Sequence, residues 1–168
     1  MFETLIEQSF TGTPAGAALL RLGAAVLMGG LIGFERALHG RNAGLRTHIL
    51  VSLASCLFAL LSIEILARFE GEVSDPLRLI EAVTAGVAFL AAGSIIVSGG
   101  SVKGLTTGAG MWLAGAIGLA CGIGALALGA LATLVALPIL WALRNLSHKL
   151  DATAAEGAKT RAQDDEAR

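Results

Sequence analysis

The amino-acid composition sets this chain apart from soluble proteins of its length. Of its 168 residues, 55% are hydrophobic and only 15% are charged, and the mean hydropathy is +0.75. A soluble domain of this size has too small an interior to bury so much apolar surface, so we expect the chain to lie in a lipid bilayer. The net charge of −1 argues against a nucleic-acid-binding protein, because such proteins present a basic surface.

Five apolar stretches follow one another, and each is close to the roughly 20 residues that a helix needs to cross a bilayer. The last two come from one uncharged run, Gly104 to Leu143, which as a single helix would be about 60 Å long. Because that is twice the thickness of the hydrocarbon core, we predict a turn at Gly122-Ile123-Gly124. The predicted spans are Ala15–Phe34, Thr47–Ala67, Pro76 to about Val97, Leu105–Cys121 and Ala125–Leu143.

The expected fold is therefore all-α, a polytopic membrane helical bundle of about five transmembrane helices. Basic residues predict its orientation, because Lys and Arg are enriched in cytoplasmic loops. With the amino terminus outside and the carboxyl terminus in the cytoplasm, six basic residues lie inside and three outside. The six are Arg36, Arg41, Arg46, Lys103, Arg144 and Lys149, and the three are Arg21, Arg68 and Arg78.

The two ends of the chain differ in character from the bundle. Residues 1–14 contain Glu3 and Glu7 and no basic residue, which is the wrong charge for the start of a signal peptide, so we expect an uncleaved periplasmic segment. Residues 15–146 form the predicted transmembrane domain. Residues 147–168 have too few apolar side chains to form a core, which predicts a disordered cytoplasmic tail.

Ionisable residues in or beside a membrane span are costly, so each is a functional candidate. The group on the predicted cytoplasmic side has two interpretations: an anchor of snorkelling basic side chains, or a preorganised surface for an anionic ligand, a lipid head group or a protein partner. His48 alone does not decide between a structural hydrogen bond and a ligand or pH sensor. The group comprises Glu35, Arg36, His39, Arg41, Arg46, His48 and Lys103.

Carboxylates near the spans are candidate magnesium ligands, because Mg²⁺ prefers oxygen ligands and retains several waters. The candidates are Glu35, Asp75 and Glu81. Asp75 also precedes Pro76, as at many helix starts, and capping is the simpler interpretation of it. Cys56 and Cys121 lie in apolar runs without a second Cys or His at ligand spacing, so we expect packing roles for both.

Arg21 breaks the charge trend, because it lies inside the first predicted span. Glu64 and Glu81 fall in the same predicted layer, roughly 5–10 Å from the outer boundary. Two interpretations stay open. Arg21 extends outward to water, or it pairs with Glu81 or Glu64 in an outer charge cluster that fixes the order of the helices.

Many of the 22 glycines recur at three-, four- or seven-residue spacing, which predicts close helix packing in the membrane. They include Gly29–Gly33, Gly86 with Gly93, Gly100–Gly104–Gly108 and Gly118–Gly122. The segment Ser98–Gly108 also has features of an anion-binding nest but lacks the residue order of a phosphate loop. Enzyme signatures are missing from the sequence, so we expect a non-enzymatic protein that uses no cofactor.

Several short motifs occur in a fixed order between Leu19 and Arg144. The first run is Gly29-Gly30-Leu31-Ile32-Gly33-Phe34-Glu35-Arg36, and the second is Ala43-Gly44-Leu45-Arg46-Thr47-His48. They are followed by Asp75-Pro76 with Arg78, by Gly86 to Gly93 with Phe89, and by Gly104-Leu105-Thr106-Thr107 with Trp112. In this order the motifs resemble those of the MgtC/SapB family, with departures at Ala88, Ala91 and Gly108.

The resemblance implies a multi-pass protein of the bacterial inner membrane, in a short form without the cytoplasmic domain that follows the last span of the namesake. Members of that family are tied to growth in low magnesium, acid stress and intracellular survival, and the namesake acts by binding other membrane complexes. We therefore expect a modulator of ion, magnesium or proton homeostasis and stress adaptation that acts through helix-mediated contact with itself, as a homo-oligomer, or with membrane partners. The alternative is a transporter or channel for magnesium or another cation.

Overall fold

The computed structural model describes residues 10–38, 43–69, 75–98 and 101–142. These residues form five α-helices and one two-stranded antiparallel hairpin. The elements are α1 (Ala15–Leu38), α2 (Leu45–Arg68), α3 (Pro76–Gly93), β1 (Ile96–Ser98), β2 (Ser101–Lys103), α4 (Leu105–Gly122) and α5 (Leu126–Ala142). The predicted all-α fold and its five helices are confirmed, and the hairpin is an addition to it.

Two compact units make up the chain, residues 1–133 and 134–168. The first contains α1 to α4, the hairpin and the first part of α5, and the described part of the second is the remainder of α5. Most of the predicted periplasmic segment and all of the predicted tail, 147–168, lie outside the described residues. The domain boundaries at residues 14 and 146 stay predictions.

Among the described residues, α1, α2 and α4 are long and apolar enough to cross a membrane, and α5 is apolar but shorter. This supports the expected membrane location. Five crossings, with the amino terminus outside, stay a prediction.

The helices in residues 10–133 run alternately up and down. Gly33 of α1 lies against Leu45 of α2, while the Glu64 carboxylate near the end of α2 binds the segment that leads into α1. We call the end where α1 and α3 begin the Thr13 end, and the end where α2 and α4 begin the Gly44 end. Gly110 of α4 lies against His48, and Gly122 at the end of α4 lies against Cys56, further along α2. α4 therefore runs in the same direction as α2.

Asp75 starts α3 as the capping interpretation predicts. Its Oδ1 accepts a hydrogen bond of 2.9 Å from the backbone N–H of Leu77, and a proline occupies the first turn. This pairing satisfies one of the amides that a helix start leaves without a partner.

The third predicted span is too long, because α3 ends at Gly93 and not near Val97. The apolar residues that follow form β1, in which Val97 pairs with Val102 of β2. Gly104 then connects the hairpin to α4 with a φ of +92°, and a side chain at this position would collide with the carbonyl oxygen of Ser94. In the segment considered as an anion nest, the described residues are therefore the strand residues Ser98 and Ser101–Lys103, the turn at Gly104 and the first turn of α4.

α4 is the central helix of the first unit. Of its 18 residues, 61% are buried. Among the most apolar 18 residues of α1 and of α2, the buried share is 28% and 33%. Gly118 and Gly122 allow this, because a side chain at either position would collide with α2 at Ser52 or Cys56. The predicted close packing is present at Gly118 and Gly122. At Gly86 and Gly93, by contrast, a side chain would meet no atom of another described residue within 4 Å.

Candidate functional site

Three polar side chains from three helices are buried at the Gly44 end: Arg36 of α1, His48 of α2 and Thr107 of α4. We call them the buried polar cluster. Arg36 is 5% exposed, and its Nη2 donates a 3.2 Å hydrogen bond to the hydroxyl of Thr107. A cation in the last turn of α1 also interacts favourably with the carbonyl end of that helix. The guanidinium therefore joins the end of α1 to the first turn of α4.

His48 is completely buried, and its ring is fixed by the chain just before α2. Its Nδ1 lies 2.9 Å from the carbonyl oxygen of Gly44. Because a carbonyl oxygen only accepts, we assign the proton to Nδ1, which makes Nε2 the acceptor in a neutral ring. Among the described residues Nε2 has no hydrogen-bond partner, and a side chain at Gly110 would place its Cβ 3.0 Å from Nε2.

Ser52 continues this polar row one helical turn further along α2. Its hydroxyl donates a 2.9 Å hydrogen bond to the carbonyl oxygen of Ala25 in α1, and the side chain is fully buried. Sequence reasoning did not select Ser52. The available signal was the four-residue spacing of polar side chains at His48 and Ser52 within an apolar span.

The three candidate magnesium ligands do not come together. Glu35 precedes Arg36 at the Gly44 end, whereas Asp75 and Glu81 lie on the first turns of α3 at the opposite end. Asp75 serves as a cap, and Glu81 is exposed. In residues 10–38, 43–69, 75–98 and 101–142, no group of three or more His, Cys, Asp or Glu side chains is arranged to hold a metal ion.

Arg21 binds the end of α4. Its Nη1 donates a 2.9 Å hydrogen bond to the carbonyl oxygen of Gly122, one of the carbonyls that a helix end leaves without an internal partner. Gly124 has a φ of +88°, and a Cβ added at this position would lie 3.0 Å from the Arg21 guanidinium. The basic side chain thus caps α4 at its negative end.

Glu64 binds the segment that enters α1. Its Oε2 accepts hydrogen bonds from the backbone N–H of Thr11 at 2.8 Å, from the Thr11 hydroxyl at 2.9 Å and from the N–H of Gly12 at 3.0 Å. Its Oε1 accepts a further bond of 2.8 Å from the N–H of Thr13. The structure therefore gives Arg21 and Glu64 separate backbone partners, and it does not bring either together with the exposed Glu81.

The other motif residues divide into packing positions and exposed positions. Gly33 and Gly44 lie in close contacts between α1 and the start of α2, and Gly104 makes the turn into α4. Phe89 is 80% exposed. Also exposed are Arg46, Arg78, Thr106 and Trp112, while Thr47 is half-buried. His39 and Arg41 lie outside the described residues.

The sequence model of the MgtC family matches residues 22–149. That range includes the buried polar cluster and all of the motifs quoted above. The chain belongs to the MgtC family. The family resemblance drawn from the motifs is thereby confirmed.

Relatives of this MgtC-family chain come from several bacteria. YhiD of Escherichia coli K12, whose name describes it as a candidate magnesium transporter, is 36% identical over 136 residues, covering 79% of this chain and 63% of YhiD. The MgtC proteins of Brucella abortus strain 2308 and Salmonella choleraesuis are 38% and 36% identical, over 77% and 84% of this chain. The chain spans 52% and 59% of those two relatives. No solved structure matches.

Proposed function

We propose that this MgtC-family chain is a non-enzymatic protein of the bacterial inner membrane that modulates magnesium or proton homeostasis through helix-mediated association. The partner is a second copy of the chain or another membrane protein. The family membership and the magnesium-related name of the E. coli K12 relative support the physiological context. Support for association comes from a face of α1.

That face carries Gly16 and Gly23, seven residues apart, together with Leu19, Leu20 and Leu27. Apart from the backbone of α1 itself, no atom of the described residues lies within 4 Å of the position that a Cβ would take at either glycine. The three leucines are exposed. Glycine weakens a helix unless a close approach compensates, and small residues at such spacing allow membrane helices to approach closely. The α1 face is therefore the observation that carries the proposal.

Cysteine cross-linking in native membranes tests this association. In a background with Cys56→Ala and Cys121→Ala, we expect Leu20→Cys to give a cross-linked dimer or a cross-linked partner under mild oxidation. Leu57→Cys, on the exposed side of α2, is the matched control and should give much less product. Only monomer at Leu20→Cys and at the neighbouring Ala24→Cys would refute the proposal.

A second candidate function is cation transport, which the name of the E. coli K12 relative favours. Carboxylates are the ligands that Mg²⁺ prefers, and Glu35 and Glu81 lie at opposite ends of the bundle. Purified protein in liposomes discriminates between the two functions. Magnesium or proton flux that is abolished by Glu81→Gln or Glu35→Gln would favour transport, whereas flux no greater than in protein-free vesicles would leave association as the function.

A further inference from the structure

A groove separates α2 from α3 along most of α3. Both helices pack on α4, but they contact each other much less than either contacts α4. The groove has a volume of about 410 Å³. Val51, Ser55 and Phe58 form its α2 wall, and Leu79, Gly86 and Leu90 are prominent on its α3 wall. Ser55 is a single hydroxyl in an otherwise apolar lining.

The length of the groove matches that of a lipid acyl chain. Along α3 the lining extends from Leu79 to Leu90, a distance of about 16 Å. This is close to half of the roughly 30 Å hydrocarbon core, the depth that one lipid leaflet fills.

At the Gly44 end the groove adjoins a second recess of about 340 Å³, which shares Leu90 with it and is also lined by Thr47 and Ser94. Two exposed cations belong to the same end of the bundle: Arg46, next to Thr47, and Lys103 on β2. An apolar groove with hydroxyls at one end, on the side of the bundle that carries the two basic groups, matches the chemistry of a phospholipid, since basic side chains attract anionic head groups.

We propose that the α2–α3 groove binds one acyl chain of a membrane phospholipid whose head group lies at the Gly44 end. The lipid acyl chain packs against Val51, Phe58 and Leu90 and supplies the van der Waals contacts that the open side of the groove lacks. The lipid is then a third component of the packing between α2 and α3.

Gly86 offers a direct test, because it lines the groove and a Cβ added there would have no atom of another described residue within 4 Å. We expect native mass spectrometry of wild-type protein from mild detergent to show one retained phospholipid, and Gly86→Leu to lower that occupancy about tenfold. Ala54→Leu fills the groove from the α2 side and should have the same effect. Ala85→Leu, exposed on α3 and outside the groove lining, is the matched control and should retain the lipid.

A photoactivatable phospholipid in liposomes supplies a second measurement. We expect the label on peptides from α2 and α3 in the wild type, and its loss from those peptides in Gly86→Leu. Unchanged lipid occupancy in both filled variants, or a label confined to α1, would overturn the proposal. So would an efficient cross-link between two copies through Ala82→Cys, because the groove would then be a protein interface.

Discussion

At the scale of residues, two charged side chains each satisfy backbone groups far away in the sequence. Arg21 holds the carbonyl oxygen of Gly122, and Glu64 holds the amides of Thr11 to Thr13. Hydrogen bonds to charged groups contribute more than neutral ones, and those at helix ends satisfy groups that otherwise lack partners. Arg21 therefore stabilises the end of a helix to which it does not belong, and Glu64 stabilises the segment that leads into α1.

Arg21→Ala should destabilise the protein in detergent by about 1.5–3 kcal/mol, because the carbonyl of Gly122 loses a charged donor. Adding Glu81→Ala should cost no more than the sum of the two single changes, since these residues share no contact in the described structure. Unfolding by SDS titration, followed by circular dichroism, measures all three variants. Recovery of stability in the double variant would instead support an outer charge cluster.

His48 gives a second prediction at this scale. His48→Ala should cost about 2–4 kcal/mol, because it opens a cavity between three helices and removes the ring donor to the Gly44 carbonyl. That carbonyl keeps only the 3.2 Å hydrogen bond from the backbone N–H of residue 48. His48→Asn keeps an N–H at the same distance from the backbone and should lose less. The same SDS titration compares them, and equal losses would show that the hydrogen bond to Gly44 contributes little.

At the scale of elements, the glycines of the helices fall into two physical classes. Gly118 of α4 lies against the backbone of Ser52, whereas Gly23 of α1 faces open space. Gly118→Ala should destabilise the monomer by about 1–3 kcal/mol through overpacking. Gly23→Ala should leave the stability of the monomer unchanged. The same SDS titration measures this, with the protein highly diluted in detergent. A loss at Gly23 as large as that at Gly118 would contradict this division.

The helices could be predicted from sequence because each is a long apolar run, and the turn at Gly122 because the last run is too long for one crossing. The hairpin was missed because Ile95, Ile96 and Val97 continue the apolar run of α3. The pair Gly99-Gly100 between short β-branched stretches was the signal for it. The partners of Arg21 and Glu64 could not be predicted, since backbone amides and carbonyls have no sequence signature.

At the scale of the whole molecule, the basic residues predict which side of the membrane each loop occupies. Reporter fusions after Glu72 should lie outside, and fusions after Arg41, Lys103 and Lys149 should lie in the cytoplasm. Alkaline phosphatase and fluorescent protein fusions, read in pairs at each site, measure this directly. An external location at Lys149 would refute the five-span topology.

The hydrogen bonds of Glu64 also bear on the order in which the chain assembles. They close the α1–α2 hairpin at the Thr13 end, and Gly33 fits against Leu45 at the other end, so every group needed to fasten this hairpin has been synthesised by residue 68. The carbonyl that Arg21 binds belongs to residue 122. Arg21 thus gains its backbone partner only after α4 has been synthesised. We therefore expect α1 and α2 to assemble first during biogenesis, and α4 to join them afterwards.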